Sequence, residues 1–323
     1  MDEKKELEIA VNKTEAVLLI GKKKHGPIIF KLDGQSIVPQ GSLKYLGVVL
    51  DAKLSFAPHL SQAVEKANRV ISRLSFLLPR CYGAEESKRR TLCQVALSIV
   101  LYAVEIWEKC LHVRKYRQIA ERFQRRLSIL INRGYRTISL ESARIISRII
   151  PLDLMVEERI RQRGTKMKRN ENRKITIEKW NTRWKDYSGS SWTKQLINDV
   201  EKWYNRKAGN VTYHLTQFLS GHGCFQHYLY AIKKVDDPKC LYCGAEEDTA
   251  EHTFFICEAW RKQKEDLNKK LKQDLQINNF LDTVTKNEKE NENWKHITAW
   301  VESILKQKEK DERHRQKEQE ENI

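Results

Sequence analysis

From Pro58 to Pro79 the chain reads PHLSQAVEKANRVISRLSFLLP. Leu60, Val64, Ala67, Ile71, Leu74 and Leu78 follow one another at intervals of four, three, four, three and four. That period lays an apolar stripe along one face of a helix, and Pro79 marks its end. Working outward, the same period predicts a helix from Ala84 to Leu111, apolar nearly all round in its middle. A third carries Ile119, Phe123, Leu127 and Leu130 and stops near Gly134; two more run from Ser139 to Ile149 and from Leu152 towards Lys168. Before Pro58 the pattern is different. Glu15 to Ile20, Ile28 to Phe30 and Tyr45 to Leu50 are short runs with β-forming residues, punctuated by Gly21, Pro27 and the pair Asp33-Gly34. They predict a small antiparallel sheet. The expected fold is therefore mainly α (α+β), with a hairpin region ahead of a helical bundle.

Composition agrees. Among 323 residues there are only 13 glycines and 6 prolines, which leaves few tight turns. Hydrophobic residues make up 40%, enough to build a core. Lys and Arg number 60 against 43 Asp and Glu, a net charge of +17. Such a surplus calls for a polyanion, either nucleic acid or an anionic membrane surface. The start, MDEKKELE, is acidic and lacks the apolar stretch of a secretory signal. The longest apolar run, Val95 to Val104, is about half of a membrane span. Seven cysteines without a signal peptide fit a reducing compartment, so the expected location is intracellular, nuclear and/or cytoplasmic. RNA and/or DNA is the expected partner, with no membrane and no small-molecule substrate.

The charge is concentrated. Residues 111–174 hold 18 Lys and Arg against 6 Asp and Glu, a surplus of 12. A merely solvated helix face mixes both signs, so an electrostatic footprint for a phosphate backbone is the stronger reading. Arg122, Arg125, Arg126 and Arg133 lie here, and Arg122, Arg126 and Arg133 have the spacing to share one face. The four tryptophans Trp180, Trp184, Trp192 and Trp203 read as anchors of a second small core rather than a base-stacking platform. The stretch from Lys306 to Ile323, with nearly balanced charges, reads as a fraying solvated helix.

One motif carries sharp chemistry. Cys240, Cys243, His252 and Cys257 form a C-x2-C-x8-H-x4-C pattern. Three thiolates and a neutral imidazole suit a tetrahedral structural Zn²⁺ with no open position for water. Gly244, just after the second cysteine, can take the positive φ that the turn between paired thiolates needs. The other cysteines, Cys81, Cys93, Cys110 and Cys224, are expected to be dispensable for metal, and His222 reads as a structural histidine. No nucleophile elbow, phosphate-binding loop or dinucleotide fingerprint is present, so no catalytic residue is assigned.

An ordered series of these segments resembles non-LTR (LINE-type) retrotransposon reverse transcriptases, in particular the C-terminal half of the insect ribosomal-DNA-inserting type-1 elements. The series includes Asn12-Lys13-Thr14-Glu15, Lys44 to Asp51, Leu101 to Trp107, Gly134 to Ser139, Pro151 to Leu154 with Glu158-Arg159, Thr216 to Phe225 and the Cys/His cluster. It runs from about residue 12 to 265. The resemblance implies a palm remnant and primer-grip hairpin at 1–56, a helical thumb-like domain at 57–170 and a Trp-rich helical linker at 171–235. It further implies a CCHC zinc knuckle at 236–290, followed by a charged C-terminal helix at 291–323. Nucleic-acid contacts are expected at Lys13, Lys44, Tyr45 and Arg136 within the resembling segments, and at Arg122, Arg125, Arg126 and Arg133 from the charge of the basic segment. The family's aromatic-x-Asp-Asp signature, which holds Mg²⁺ for nucleotidyl transfer, has no match here. Template and primer holding without polymerase or endonuclease chemistry is thus the expected role, and an inert or protein-interacting zinc-stapled remnant is the alternative.

Overall fold

The structure is a computed structural model that describes residues 10–19, 28–76, 78–79, 83–207, 209–285 and 290–321. Ile20, Gly21, Pro27 and Cys81, and the side chain of Leu74, lie outside the described residues. The chain forms two compact units: Met1–Arg69 with Leu97–Ala120, and Val70–Ala96 with Glu121–Ile323.

In the first unit, β1 (Phe30–Leu32) pairs with β2 (Gln35–Ile37), and β3 (Ser42–Tyr45) pairs with β4 (Val48–Asp51), both antiparallel. Each hairpin turns on two residues of positive φ, Asp33 (46°) and Gly34 (75°) in one, Leu46 (47°) and Gly47 (85°) in the other. Positive φ at both central residues is the turn whose twist matches paired strands. The sequence reading placed a continuous strand over Tyr45 to Leu50, but the chain reverses inside it and pairs Tyr45 with Val48. Leu46 is held in this unfavourable conformation from outside the hairpin, since the Tyr102 hydroxyl donates to its carbonyl (2.9 Å). The expected strand at Glu15 to Ile20 makes only one isolated bridge, Val17 to Gln40, among the described residues.

Asp51 turns the sheet into helix. Its carboxylate accepts from the backbone N–H of Phe56 (2.7 Å) and Ser55 (3.2 Å) and from the Ser55 hydroxyl (3.0 Å). Helix α1 (Ala57–Ser75) follows, with Leu60, Val64, Ala67 and Ile71 buried as their spacing predicts. Residues 84–111, expected as one helix, are three pieces: α2 (Glu86–Val100), α3 (Val104–Trp107) and a 3₁₀ turn, Glu108–His112. The break is at Ala103, whose φ is +48°, and the Trp107 indole donates to the carbonyl of Tyr102 beside it. Among the described residues no single helix is long and apolar enough to cross a membrane.

The remaining helices are α4 (Arg114–Asn132), α5 (Leu140–Ser147), α6 (Leu152–Gly164), α7 (Arg169–Asp186), α8 (Ser191–Leu196) and α9 (Val200–Asn205). After them come α10 (Tyr213–Ser220), α11 (Gln226–Ala231), α12 (Arg261–Leu271), α13 (Phe280–Thr283) and α14 (Glu290–Glu321). The fold is mainly α, with two small hairpins among the described residues. In the second unit, Trp180, Trp184 and Trp203 are each 1% exposed within one core that also holds Phe218, Phe254, Trp300 and Ile304. The indoles of Trp184 and Trp203 donate to the carbonyls of Ile197 and Ile145, so the rings anchor this core.

The end of the chain departs from expectation. The helix that begins at Glu290 stays packed past Lys306 as far as Glu312, and only beyond it are Arg313, His314 and Gln316 to Glu318 exposed as expected. Lys308 is 2% exposed, and Glu309, Asp311 and Glu312 bond to Gln217, Tyr242 and Gln226. A charge run reads as solvated only when its partners elsewhere in the chain are unknown.

Candidate metal centre and basic hollow

Cys240, Cys243, His252 and Cys257 come together, with one donor atom from each lying within 4.8 Å of the others. Local turns explain the convergence. The Gly244 N–H donates to the Cys240 carbonyl and the Cys240 N–H to the Ala245 carbonyl, both at 2.8 Å, and Gly244 has φ +77°. A π-helical turn over His252–Ile256 follows, closed by the Cys257 N–H donating to His252 O (2.8 Å). This places Cys240 Sγ 3.8 Å from Cys257 Sγ, and Cys243 Sγ 3.2 Å from His252 Nε2. Thiolates bound at ~2.3 Å to one tetrahedral ion stand about 3.8 Å apart, so the donor set fits such an ion.

Protonation favours ligation by the imidazole. Burial holds His252 below its ordinary value, against the pull of Asp248. Burial also pushes the thiols of Cys240 and Cys257 up, the latter to about 12. On Cys243 the same effect is outweighed by the Ala245 amide and the neighbouring thiols, which lower it. Buried thiols that are hard to ionise by themselves are those for which a cation makes the largest difference.

Around the ligands lies a polar shell that spacing alone did not reveal. Asp248, fully buried between the two ligand pairs, accepts from Lys308 Nζ (2.7 and 2.9 Å), the Gln226 N–H (2.9 Å) and the Thr253 hydroxyl (2.7 Å). Tyr242, between the two cysteines of the first pair, donates its hydroxyl to Asp311 (2.7 Å) and sets its ring 4.8 Å from that of Trp260. The ligand turns are thereby fastened to α14. Of the other cysteines, Cys93, Cys110 and Cys224 are buried and stand outside the ligand cluster.

A hollow of about 540 Å³ lies on the second unit. Among the described residues its lining includes Arg89, Arg122, Arg125, Arg126 and Arg136, together with the apolar Leu78, Ile129 and Leu130, and no carboxylate. Arg89 is 1% exposed and has no acidic partner among the described residues. It donates instead to the carbonyls of Ala84 (2.7 Å), Leu78 (3.3 Å), Leu130 (3.0 Å) and Pro79. Burial, with Arg133 close by, brings its guanidinium down to about 10. Arg125 donates to the carbonyls of Arg136 and Ile138, and Arg126 to the Ser72 hydroxyl (2.8 Å). Arg122 and Arg136 are exposed at the rim. Arg133 does not share the helix face with Arg122 and Arg126. Helix α4 ends at Asn132, and Arg133 has φ +62° and donates to the carbonyl of Ala84 (2.8 Å).

In the first unit, Lys13 is exposed in a 3₁₀ turn (Val11–Lys13), and Lys44 and Tyr45 are exposed on β3. Lys44 borders a second hollow of about 850 Å³, together with Lys66, Arg69, His59 and Tyr102.

The chain has relatives among mobile-element proteins. It is 26% identical over 259 residues to a retrovirus-related Pol polyprotein from type-1 retrotransposable element R1 4 of Nasonia vitripennis, covering 73% of this chain and 65% of the relative. A putative 115 kDa protein in type-1 retrotransposable element R1DM of Drosophila melanogaster is 23% identical over 77% of this chain and 26% of its own length. A probable RNA-directed DNA polymerase from transposon BS, also of Drosophila melanogaster, is 28% identical over 110 residues, 34% of this chain and 11% of the relative. The chain thus spans about 65% of one type-1 relative and about a quarter of another. No family model and no solved structure matches it. Over most of its length this chain is similar, at 21–26% identity, to proteins of R1 type-1 retrotransposable elements, most of them Pol polyproteins.

Proposed function

We propose that this chain is a nucleic-acid-holding portion of a retrotransposon Pol protein, stapled by one structural Zn²⁺ and without polymerase chemistry of its own. It grips RNA or DNA through phosphate contacts from the basic segment 111–174 and acts inside the cell, in the nucleus and/or cytoplasm. The observation that supports this most is the arginine hollow. Among the described residues, five guanidinium groups share one concavity with no carboxylate in its lining. Their summed positive potential favours an anion at this place. The Cys3His cluster has the donors of a closed zinc site, so its metal holds structure and leaves no position for a substrate. Type-1 Pol relatives and an RNA-directed DNA polymerase relative supply the context in which a nucleic acid is held.

A second reading, an inert or protein-interacting remnant, draws on a specific observation. Arg89, Arg125 and Arg133 spend guanidinium N–H groups on main-chain carbonyls, as structural arginines do. Binding of a labelled RNA or DNA oligonucleotide, titrated with salt, separates the two. Phosphate gripping gives log K falling linearly with log salt, by about 0.7–0.9 per contact. No binding at 50 mM salt leaves the inert reading standing.

A further inference from the structure

We infer that the hollow bordered by Arg122, Arg126 and Arg136 seats one unstacked nucleotide, so that the chain prefers single-stranded nucleic acid to duplex. The inference rests on the nucleic-acid reading above and specifies the form of the ligand. Three features of the hollow carry it.

The first is its shape. At about 540 Å³ it lies within the ~300–1,000 Å³ of pockets that enclose a small molecule. A duplex carries its phosphates on the outside and its bases stacked within. It can touch the rim of such a hollow but can place no base on the floor. A single strand can turn one base out of its stack and lower it in.

The second is the division of chemistry between floor and rim. The floor is Leu78, Ile129 and Leu130, none of which can bond a phosphate oxygen. At the rim, Arg122 and Arg136 are exposed, with guanidinium groups suited to phosphate by charge and fork geometry. An apolar floor under a cationic rim matches a nucleotide, whose base is flat and largely apolar on its faces and whose phosphate is anionic. It matches inorganic phosphate poorly, because that ion would gain nothing from the floor.

The third is rigidity. Arg89 ties the carbonyls of Leu78 and Pro79 to that of Leu130 from beneath the floor, and Arg125 ties those of Arg136 and Ile138 at one side. These arginines are wall struts, and the buried charge of Arg89, with no carboxylate among the described lining residues, adds a fixed positive potential. The hollow is therefore formed before a ligand arrives, which limits the ordering cost of binding. Sequence specificity is expected to be weak, since the lining offers arginine heads and aliphatic surface rather than a set of base-edge acceptors.

The test uses the full chain and a fluorescein-labelled 12-residue oligodeoxythymidine, alone and annealed to its complement, at 100 mM salt. The single strand should bind about tenfold or more tightly than the duplex. Ile129→Gln, which removes apolar floor without changing charge, should cut single-strand affinity about tenfold and leave duplex affinity within twofold. Thymidine monophosphate should displace the single strand at concentrations at which inorganic phosphate does not. This competition on the unmodified chain decides the matter even if the variant fails to fold. Equal binding of duplex and single strand, or equal competition by inorganic phosphate, overturns the nucleotide seat while the phosphate-gripping reading survives. Absence of binding by either form removes that reading as well.

Discussion

The Cys3His centre and the arginine hollow both gather like groups, but they are finished in opposite ways. At the centre the charged and hydroxyl groups meet others from the same chain: Asp248 takes Lys308, the Thr253 hydroxyl and the Gln226 amide, and Tyr242 takes Asp311. At the hollow, among the described residues, five guanidinium groups line one cavity without a carboxylate, and Arg122 and Arg136 stand exposed at its rim. A region whose charges close on themselves serves the fold. A region with a surplus of one sign attracts a ligand of the other. Perturbing the first should therefore cost structure, and perturbing the second should cost binding.

The largest effect is expected at the metal. The purified chain should carry about one Zn²⁺, and chelation or Cys240→Ser should unfold the segment around the ligands, because metal-binding energy of a structural site is folding energy. Hydrogen exchange should rise over residues 240–260 and along α14, which is fastened to the ligand turns at Asp248 and Tyr242. Cys93→Ser, Cys110→Ser and Cys224→Ser should leave metal content unchanged. Well-folded protein without zinc would end the description of this region as metal-stapled.

Next in size is the buried pair. Lys308→Met leaves the Asp248 carboxylate buried without its cation, a change that costs about 3–5 kcal/mol. Urea unfolding should register it, and Asp248→Asn added to Lys308→Met should recover part of the loss, because the lone charge is then removed. The same single variant should weaken zinc retention about tenfold, as loss of a supporting contact commonly does. If zinc affinity stays at the parent value in folded Lys308→Met, the pair stabilises α14 but does not support the metal.

These two regions were not equally legible in the sequence. The four residues of the Cys3His cluster lie within eighteen positions, so spacing alone marks them as a candidate set, and the structure brings them together. Asp248 and Lys308 are sixty residues apart, and Lys308 sits in a stretch that alternates charges as a solvated helix does. Nothing local marks it as buried. Arg133 was assigned to the face of Arg122 and Arg126 by counting residues, and the count fails because α4 stops one residue short of it. Leu46-Gly47 was read through as strand because its neighbours are β-forming; the contact that holds its turn comes from Tyr102, more than fifty residues on. Periodicity reports the faces of long helices well, as at Leu60, Ala67 and Ile71. It is silent on positions decided by partners far along the chain.

A smaller effect is expected at the hollow, and it should be one of binding alone. Replacing Arg122 and Arg136 with Gln should lower the slope of log K against log salt by about 0.7 per lost contact on a single strand. Thermal stability should hardly move, because both side chains are exposed at the rim. Arg89→Gln should behave otherwise. Its guanidinium bridges four carbonyls, so its loss should destabilise the fold by about 1–3 kcal/mol before any change in salt slope is seen. If the rim variants unfold and Arg89→Gln merely binds less, the division between struts and rim is drawn the wrong way round.

The smallest expected effect is a pH dependence at His222, a histidine outside the Cys3His cluster. Its Nδ1 lies 2.8 Å from the Ser220 carbonyl and its ring centroid 4.9 Å from that of Tyr228. Burial lowers its pKa, against the opposing pull of the Ser220 carbonyl. A folded value below the unfolded value near 6.5 means that the unfolded chain takes up the proton first as pH falls. The stabilising contribution is then complete above about pH 6.5 and is lost as pH drops towards the folded pKa. One proton can supply a slope of at most about 1.4 kcal/mol per pH unit. His222→Gln should lower the acid slope of unfolding free energy between pH 6.5 and 5.5 relative to the parent, and keep the full zinc content. The comparison of slopes is needed because zinc ligands take up protons over the same range in both proteins and cancel in the difference. Loss of zinc on this substitution would place His222 inside the closed centre and require a ligand set other than Cys240, Cys243, His252 and Cys257. An unchanged slope would show that the proton reaches His222 in the folded chain as readily as in the unfolded one.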